Sequence, residues 1–362
     1  MKIAMIGHKR IPGREGGVEV VVEELAKRMV KKGHTVTVYN RRKKGLIMPQ
    51  NYGGIRLIEV PTIQKKNLDA VIYSFLASIR AVFGNYNVIH YHAIGPSFFL
   101  IIPHIFKQKT IVTVHGLNYK TPKWKGFGAW FIKQGERIVA KYADEIIVLS
   151  SEQKAYFLEK YNRETIYIPN GTEVFEKEDP ELITEKFGLV KKNYILFLSR
   201  VVPGKGLEYL LDAYKKIDSD LKLVIAGSSE YVNDFYKMIT KKASEDDRVM
   251  LIGFVDGKIL RELYSNAKLF VFPSEAEGMP ICLLEALSYD CPSIVSNIPE
   301  NMEVGSLFVR SFQSKDVHDL EKQIRNCLNN DNFFKVGSRE YIKKNYSWDT
   351  IVDRTLNCYK EI

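Results

Sequence analysis

Short apolar runs alternate with longer amphipathic stretches along most of this chain, and this alternation constrains the fold more than any other feature. The apolar runs predict buried strands and the amphipathic stretches predict helices. In the first half the predicted helices are 17–32, 69–84 and 129–142, and the predicted strands are 2–7, 34–40, 55–61, 88–92, 110–115, 145–150 and 165–169. Alternation of this kind indicates a parallel sheet with helices on both faces.

The same pattern restarts after a turn at Asn170-Gly171 and a charged segment, 173–179, which we interpret as a linker. The second set of predicted strands is 194–199, 222–226, 248–254, 269–272 and 293–296. A chain of 362 residues is also long for a single core. We therefore predict an α/β protein with two Rossmann-like domains and a ligand in a cleft at the carboxyl ends of the strands.

The net charge of +10 is unevenly distributed between the two halves. Residues 1–170 carry 27 lysines and arginines against 12 aspartates and glutamates, and the remaining residues carry 26 against 31. The first part therefore has a net charge of +15 and the second part −5. A basic half favours an anionic partner, either nucleic acid or an anionic membrane surface, with a solvated basic surface as the alternative.

Other features of the composition favour a cytoplasmic protein. The amino-terminal residues run directly into His8, Lys9 and Arg10, so we expect no signal peptide. The most apolar stretch, 94–106, contains prolines and is shorter than the ~20 residues that span a bilayer. The four cysteines lack metal-ligand spacing, which is typical of reduced thiols or small core residues.

The segment 273–286 is the most informative local motif. It follows the predicted strand 269–272 and places Glu277 and Glu285 eight residues apart, with Pro280 where a helix would begin. The free N–H groups at the start of a helix bind anions. One carboxylate can then hold a sugar hydroxyl and the other a ribose, with a diphosphate between them.

A second motif follows the first predicted strand of the second half. Arg200 and Lys205 lie in a loop with Gly204 and Gly206, which allow a ligand to approach the backbone closely. Two cations suit a diphosphate, since arginine offers a fixed fork and lysine a point charge. A surface ion pair is the commoner explanation of such a loop alone, but the carboxylate motif favours the diphosphate.

These two motifs and the two-sheet layout resemble the retaining glycosyltransferases of family 4, which have the GT-B fold, and the resemblance covers nearly the whole chain. It implies that two domains, 1–172 for the acceptor and 173–345 for the nucleotide-sugar, face each other across a deep cleft. It also implies that a C-terminal helix within 346–362 packs back toward the first domain. The segment 170–173 resembles the family's Asn-Gly-Val-Asp stretch between domains.

The resemblance assigns roles to residues of both motifs. Arg200 and Lys205 would hold the donor diphosphate and neutralise the leaving group. Glu285 would bind the ribose and Glu277 the donor sugar. The remaining donor-binding residues of this segment would be Ser274, Gly278, Met279 and Pro280.

Two features of the first half match the same family. Gly16 and Gly17 lie in a glycine-rich loop before a helix, where they would approach the donor phosphate; a flexible turn is the alternative. His115 ends a predicted strand, and the matching family histidine lies against the donor sugar, although a strand-end histidine is more often structural. We assign no role to His90 and His92, since the packed interpretation is the commoner one for them.

We expect no cofactor and no metal ion. The Asp218-Ser219-Asp220 triplet resembles the D-x-D motif of metal-dependent glycosyltransferases, but it precedes a predicted strand and so lies at the wrong end of the sheet. The family is usually explained by front-face attack, in which catalysis is mostly positioning and charge stabilisation. The predicted catalytic residues are Glu277, His115, Arg200 and Lys205.

Asp290 occupies a position where members of the family usually carry glycine. Glycine there suits a left-handed helix cap, and aspartate tolerates that conformation at some cost. We therefore expect the cap to be kept.

Basic and aromatic residues that follow His115 predict where the acceptor binds. Lys120, Lys123, Trp124 and Lys125 suit an anionic membrane interface and a lipid diphosphate, and they would also suit nucleic-acid stacking. The first half is also similar to bacterial enzymes of the family that build surface polysaccharide.

We therefore predict transfer of a sugar from a nucleotide-diphosphate donor, with UDP favoured, to a glycan or lipid-linked acceptor. The enzyme would be cytoplasmic, with peripheral contact to the cytoplasmic face of an anionic membrane and no nucleic-acid partner. The alternatives are a nucleotide-sugar epimerase on the same scaffold and a basic nucleic-acid-binding module. Conversion of a sugar nucleotide without acceptor would favour the epimerase, and salt-sensitive binding to random DNA would favour the binding module.

Overall fold

The computed structural model describes residues 1–13, 16–63, 68–116, 126–229, 234–330 and 334–362. The chain divides into two compact units. The first consists of Met1–Gly171 together with Trp348–Ile362, and the second of Thr172–Ser347. Each unit contains a sheet of mainly parallel strands connected by helices, so the prediction of two Rossmann-like α/β domains is confirmed.

The first unit is built on an eight-stranded sheet within its described residues, in the order β3-β4-β2-β1-β5-β6-β7-β8. The strands are β1 Lys2–Ile6, β2 Thr35–Arg41, β3 Asn51–Tyr52, β4 Ile55–Val60, β5 Val88–His92, β6 Thr110–Val114, β7 Glu145–Val148 and β8 Ile166–Tyr167. Strands β3 and β4 pair antiparallel as a hairpin, and the other neighbouring pairs are parallel. All residues of β5 and β6 are buried, which explains their strong signal in the sequence.

The helices of this unit bury one face each against the sheet. They are α1 Gly17–Lys31, α2 Leu68–Val82, α3 Ile101–Ile105 after a 3-10 turn at Pro96–Leu100, α4 Phe127–Tyr142 and α5 Ser151–Tyr161. The core between them and the sheet includes Ile6, Tyr73, Tyr91, Val114 and Phe157.

The second unit has six parallel strands within its described residues, in the order β11-β10-β9-β12-β13-β14. They are β9 Tyr194–Leu198, β10 Lys222–Ala226, β11 Val249–Gly253, β12 Leu269–Phe272, β13 Ser293–Ser296 and β14 Arg310–Phe312. The helices are α6 Leu182–Phe187, α7 Leu207–Tyr214, α8 Asp234–Ala243, α9 Gly257–Asn266, α10 Ile281–Ser288, α11 Pro299–Gly305, α12 Val317–Leu328 and α13 Ser338–Asn345.

The strand order places a topological switch point in each sheet. In the second unit β9 pairs with β10 on one side and with β12 on the other, so the chain crosses over in opposite directions from β9. In the first unit β1 lies in the same way between β2 and β5. Ligands of open α/β sheets bind at the carboxyl ends of the strands at such points. The loops after β9 and β12 carry the two predicted diphosphate motifs.

The last helix, α14 Trp348–Lys360, belongs to the first unit although it follows the second along the chain. Its acidic side chains pair with basic residues at the C-terminal end of α1 and just after it: Arg28 Nε lies 3.4 Å from Asp349 Oδ1, and Lys32 Nζ lies 2.8 Å from Asp353 Oδ1. Its inner face is buried, including Ile351, Val352 and Tyr359. Among the described residues, no helix has both the length and the apolar character needed to cross a membrane.

Asp290 has a φ of 48°, so the expected left-handed conformation after α10 is present despite the missing glycine. The carboxylate Oδ1 accepts hydrogen bonds from the Ser338 hydroxyl at 3.0 Å and from the Arg339 backbone N–H at 2.9 Å. It therefore ties the first turn of α13 to the end of α10, a contact that glycine could not make.

Candidate functional site

The two predicted diphosphate motifs lie side by side in the second unit. Strands β9 and β12 are neighbours, and hydrogen bonds join the loops that follow them. The Glu275 N–H donates to the Gly204 carbonyl at 2.9 Å, and the Ser274 hydroxyl donates to the same carbonyl at 3.3 Å. Residues 70 and 71 positions apart in the sequence thus form one continuous surface.

Gly206 makes the close approach of the two loops possible. Its φ is +70°, and a Cβ atom there would lie 2.0 Å from the Pro273 carbonyl oxygen. Gly204 also has a positive φ, +86°, but a Cβ on it would meet nothing within 4 Å. The two glycines therefore have similar backbone conformations and different surroundings.

We predict that Gly206→Ala destabilises the protein much more than Gly204→Ala. Both substitutions carry the cost of a left-handed residue, about 1–2 kcal/mol, whereas only Gly206→Ala adds a clash with backbone, which costs about a further 1–3 kcal/mol. Urea unfolding of the two variants measures the difference. Equal losses of stability would show that the loops do not pack as described.

An ion pair connects the cationic loop to the carboxylate motif. The Lys205 ammonium donates to Glu277 Oε1, and the two side chains are only 16% and 11% exposed. Lys205 Nζ also lies 5.8 Å from the centroid of the Phe272 ring at the end of β12. Arg200 is exposed at the start of the same loop. An incoming anion can therefore attract both cations and release Glu277 to accept a hydrogen bond from a hydroxyl.

Glu285 lies in α10, just over one turn from its first residue. The Tyr264 hydroxyl of α9 donates to Glu285 Oε2 at 3.0 Å, and the Tyr264 ring stacks on Tyr289 with the centroids 5.8 Å apart. Burial first, and the nearby Glu285 carboxylate second, hold the pKa of Tyr264 well above its usual range, so it stays a donor. Tyr264 orients the carboxylate, and nothing in the local sequence of α9 indicated this role.

The third carboxylate of this segment, Glu275, is held away from Lys205 by its own partners. Its Oε1 accepts from the Tyr209 hydroxyl at 3.0 Å, and its Oε2 pairs with Lys315 Nζ at 2.8 Å. The sequence does not distinguish Glu275 from Glu277, but their partners do. Glu275 is held by Tyr209 and Lys315 and is structural, whereas Glu277 faces Lys205.

The other predicted donor-binding residues complete the start of α10. Ser274, Met279 and Pro280 are buried, Gly278 is partly exposed, and Pro280 is the residue that caps the helix. The first N–H groups of a helix have no carbonyl partner within it, so they are available to a phosphate. Burial raises the pKa of the neighbouring Cys282, which keeps it a thiol.

In the first unit, Gly16 caps α1 and Gly17 is its first residue. A Cβ atom on Gly16 would lie 2.9 Å from Glu19 Oε2, while Glu19 Oε1 accepts the Lys9 N–H at 2.8 Å. Because the Glu19 carboxylate folds back toward this cap, glycine fits there, whereas a residue with a Cβ atom would make a close contact. Residues 14 and 15 of the loop lie outside the described residues.

His115 follows β6 and contacts a second histidine. Its Nε2 lies 3.1 Å from Nδ1 of His92, the last residue of β5. Burial lowers the pKa of His115 to about 4, so the imidazole is neutral at physiological pH. No role was predicted for His92, and the alternation along β5 was the only feature that could have suggested one.

The predicted acceptor residues Lys120, Lys123, Trp124 and Lys125 lie outside the described residues. The D-x-D triplet ends two residues before β10 begins at Lys222, at the amino end of the strand as predicted. Across the described ranges, no three His, Cys, Asp or Glu side chains form a group that could hold a metal ion.

Two family models cover most of the chain. One described as "Glycosyltransferase Family 4" matches residues 15–174, and one described as "Glycosyl transferases group 1" matches residues 179–347. The boundary between them falls at the charged segment after Asn170-Gly171.

Individual proteins are similar over the whole chain or over about half of it. An uncharacterized glycosyltransferase of Methanocaldococcus jannaschii is 26% identical, over 99% of this chain and 98% of its own. The UDP-Gal:alpha-D-GlcNAc-diphosphoundecaprenol alpha-1,3-galactosyltransferase of Escherichia coli is 30% identical over 52% of this chain and 51% of its own. The crystal structure of Anabaena Alr3699/HepE in complex with UDP and glucose has a TM-score of 0.84 at 16% identity, over 100% of both chains. This likeness shows the fold, and the predicted GT-B fold is confirmed.

Proposed function

This chain belongs to the family 4 type of glycosyltransferases, and from that premise we propose that it transfers a sugar from a UDP-sugar, with retention, to a glycan or lipid-linked acceptor in bacterial surface polysaccharide synthesis. The observation that carries the proposal is the Lys205–Glu277 pair, where the loops after β9 and β12 meet at a switch point. The pair places a cation for a diphosphate beside an acceptor for a sugar hydroxyl.

The donor is proposed to bind along the loops of the second unit. Arg200, Lys205 and the first N–H groups of α10 hold the diphosphate, Glu285 holds the ribose, and Glu277 turns to the sugar. Uridine is supported by the names of two similar proteins, since the Anabaena structure contains UDP and the E. coli relative is named for UDP-Gal. No cofactor or metal ion takes part in this proposal, because the two cations supply the positive charge.

The proposed chemistry replaces one bond at the anomeric carbon by another. The bond from that carbon to the diphosphate oxygen breaks, the acceptor oxygen bonds to the same face, and the acceptor proton moves to the departing phosphate. Arg200 and Lys205 stabilise the charge that develops on the leaving group. Glu277 and His115 are proposed contacts of the donor sugar, and Gly16 and Gly17 of the donor phosphate.

A lipid-linked acceptor requires contact with a membrane, and one described segment of the first unit supports it. Arg42, Lys43 and Lys44 are exposed after β2, and they precede Leu46 and Ile47, which are 41% and 97% exposed. Basic residues next to exposed aliphatic ones suit the surface of an anionic bilayer. We propose a cytoplasmic enzyme that contacts the cytoplasmic face of the membrane here and through Lys120, Lys123, Trp124 and Lys125.

We predict that Ile47→Asp weakens binding to vesicles containing phosphatidylglycerol. The change removes an apolar contact and adds repulsion from the anionic surface. Val336→Asp is the matched control, since Val336 is 87% exposed in the second unit. Co-sedimentation measures bound protein at increasing lipid concentration. Equal binding by both variants and the unmodified protein would refute contact through this segment.

A thermal-shift screen of UDP-, GDP- and ADP-sugars tests the proposed function. A true donor at about 100 times its dissociation constant adds about 2.7 kcal/mol to the stability of the protein that binds it. The stabilising donor is then incubated with undecaprenyl-diphosphate-linked glycans, and transfer with retention is expected. Stabilisation by none of the sugars would overturn the proposal, and conversion of the donor without acceptor would point to an epimerase.

A further inference from the structure

Three histidines form a ladder at the carboxyl ends of two neighbouring strands of the first unit. His90 and His92 lie on β5 and His115 follows β6, which pairs with β5. The ring centroids of His90 and His92 are 4.1 Å apart, and those of His92 and His115 are 5.4 Å apart in a stacked arrangement. The hydrogen bond between His92 Nδ1 and His115 Nε2 makes the contact directional.

All three imidazoles are neutral at physiological pH. Burial lowers the pKa of His90 to about 3 and that of His115 to about 4, and it holds the pKa of His92 well below its usual range. A neutral imidazole has one N–H donor and one bare nitrogen that accepts. One histidine of the His92–His115 pair must therefore donate and the other accept.

The surroundings of His92 decide the direction of this hydrogen bond. His92 Nε2 is buried and has no hydrogen-bond partner in the part of the chain that the structure describes. A buried N–H without a partner is rarer than an unpaired acceptor, so Nε2 is the bare nitrogen. The proton of His92 is then on Nδ1 and is donated to His115 Nε2, which leaves the proton of His115 on its own Nδ1.

His8, at the same edge of the sheet, shows the same pattern. Asn40 donates its amide to the Ile11 carbonyl at 2.7 Å and accepts the Ile11 N–H at 3.0 Å, which fixes the position of its oxygen. His8 Nε2 lies 2.9 Å from that oxygen and must donate, so Nδ1 of His8, which has no partner among the described residues, is bare. A bare ring nitrogen without a partner among the described residues, as assigned to His92, is thus also present in the neighbouring His8.

The C-terminal helix α14 contacts the histidine ladder at His90. His90 Nδ1 lies 2.6 Å from the Tyr359 hydroxyl of α14, and His90 Nε2 lies 2.7 Å from the Thr113 hydroxyl of β6. The His90 ring is therefore fixed at both nitrogens, and it packs against the ring of His92. This support restricts the orientation of His92 and hence of the N–H that it directs at His115.

We propose that His92 is a positioning residue that holds His115 in the tautomer with its proton on Nδ1. The ring nitrogen that carries the proton is set by the hydrogen bond that the other nitrogen makes. His115 is mostly buried but keeps part of its surface exposed, so its Nδ1–H can serve as a donor to a substrate oxygen such as a sugar hydroxyl. The contact of His115 with substrate rests on the proposed function, whereas its tautomer does not.

Nitrogen-15 NMR of histidine-labelled protein at pH 7.5 tests the tautomer directly, with His115→Asn used to assign the signals. We expect protonated Nδ1 and bare Nε2 for His115 in the unmodified protein. The variant His92→Phe should shift His115 toward the other tautomer. His92→Asn should keep the Nδ1–H form, because the asparagine amide can replace the His92 Nδ1–H donor. A proton on Nε2 of His115, or the same tautomer in His92→Phe, would overturn the proposal.

Kinetics provide the second readout. We expect kcat to fall by about 10²-fold in His92→Phe with KM nearly unchanged, since misplacing a contact group by about 1 Å can cost that much, and His92→Asn should restore most of the rate. Full activity of His92→Phe would contradict the positioning role. If the unmodified protein transfers no sugar but its histidines have the expected tautomers, the proposed function fails and the tautomer assignment stands.

Discussion

Lys205→Ala is expected to lower kcat for sugar transfer by about 10²–10³-fold, the loss typical of removing one group that stabilises developing charge. Lys205 is the partly buried cation at the junction of the loops after β9 and β12. Alanine there leaves the departing diphosphate with less positive charge. Steady-state kinetics with the donor found by the thermal-shift screen measures the effect.

Two further variants separate catalysis from stability. Lys315→Ala is the matched control, because Lys315 also pairs with a glutamate of the 273–286 segment but is exposed. It should keep nearly full activity. Lys205→Ala leaves Glu277 without its cation, so the double variant Lys205→Ala/Glu277→Ala should recover stability in urea unfolding while staying inactive. Near-full activity of Lys205→Ala would place the diphosphate elsewhere.

Acid is expected to destabilise the first unit strongly, by about 5–6 kcal/mol between pH 7.5 and 5.5. Burial lowers the pKa of His8 and His115 to about 4 and that of His90 to about 3, and it holds the pKa of His92 well below the usual value of 6.5. As the pH falls through 6.5, the unfolded chain takes up protons that the folded chain does not. Each such histidine therefore costs about 1.4 kcal/mol over this interval, because the full slope of about 1.4 kcal/mol per pH unit applies only below the unfolded pKa of 6.5.

Tryptophan fluorescence in urea can follow this loss in the first unit alone, because Trp124, Trp130 and Trp348 all belong to it. The variant His90→Phe should lose about 1.4 kcal/mol less unfolding free energy between pH 7.5 and pH 5.5 than the unmodified protein, whatever its stability at pH 7.5. An unchanged difference would show that His90 does not titrate as its burial requires.

The interior of both sheets could be predicted from the sequence, whereas one edge strand of each sheet could not. Strands β5, β10, β12 and β13 begin and end as predicted, because buried parallel strands are continuous apolar runs. The hairpin strand β3 and the edge strand β14 were not predicted; they are two and three residues long and partly exposed. Such short strands have no pattern that distinguishes them from loops.

The same limit applies to the candidate site. Residue types and strand order were enough to select Lys205, Glu277 and Glu285. The partner of Glu285 was not predictable, because Tyr264 contacts it from a distant part of the chain. In the first unit, His92 and His115 likewise meet from distant positions in the sequence. Hydrogen bonds of this kind depend on side-chain orientation, which periodicity does not determine.

The measurement that tests the central claim most directly is a crystal structure with the UDP-sugar that stabilises the protein. We predict that the diphosphate contacts Lys205 and the first turn of α10 and that Glu285 contacts the ribose. Glu277 should no longer pair with Lys205 and should instead accept a hydrogen bond from a sugar hydroxyl. A UDP-sugar bound elsewhere, with the Lys205–Glu277 pair intact, would contradict the account.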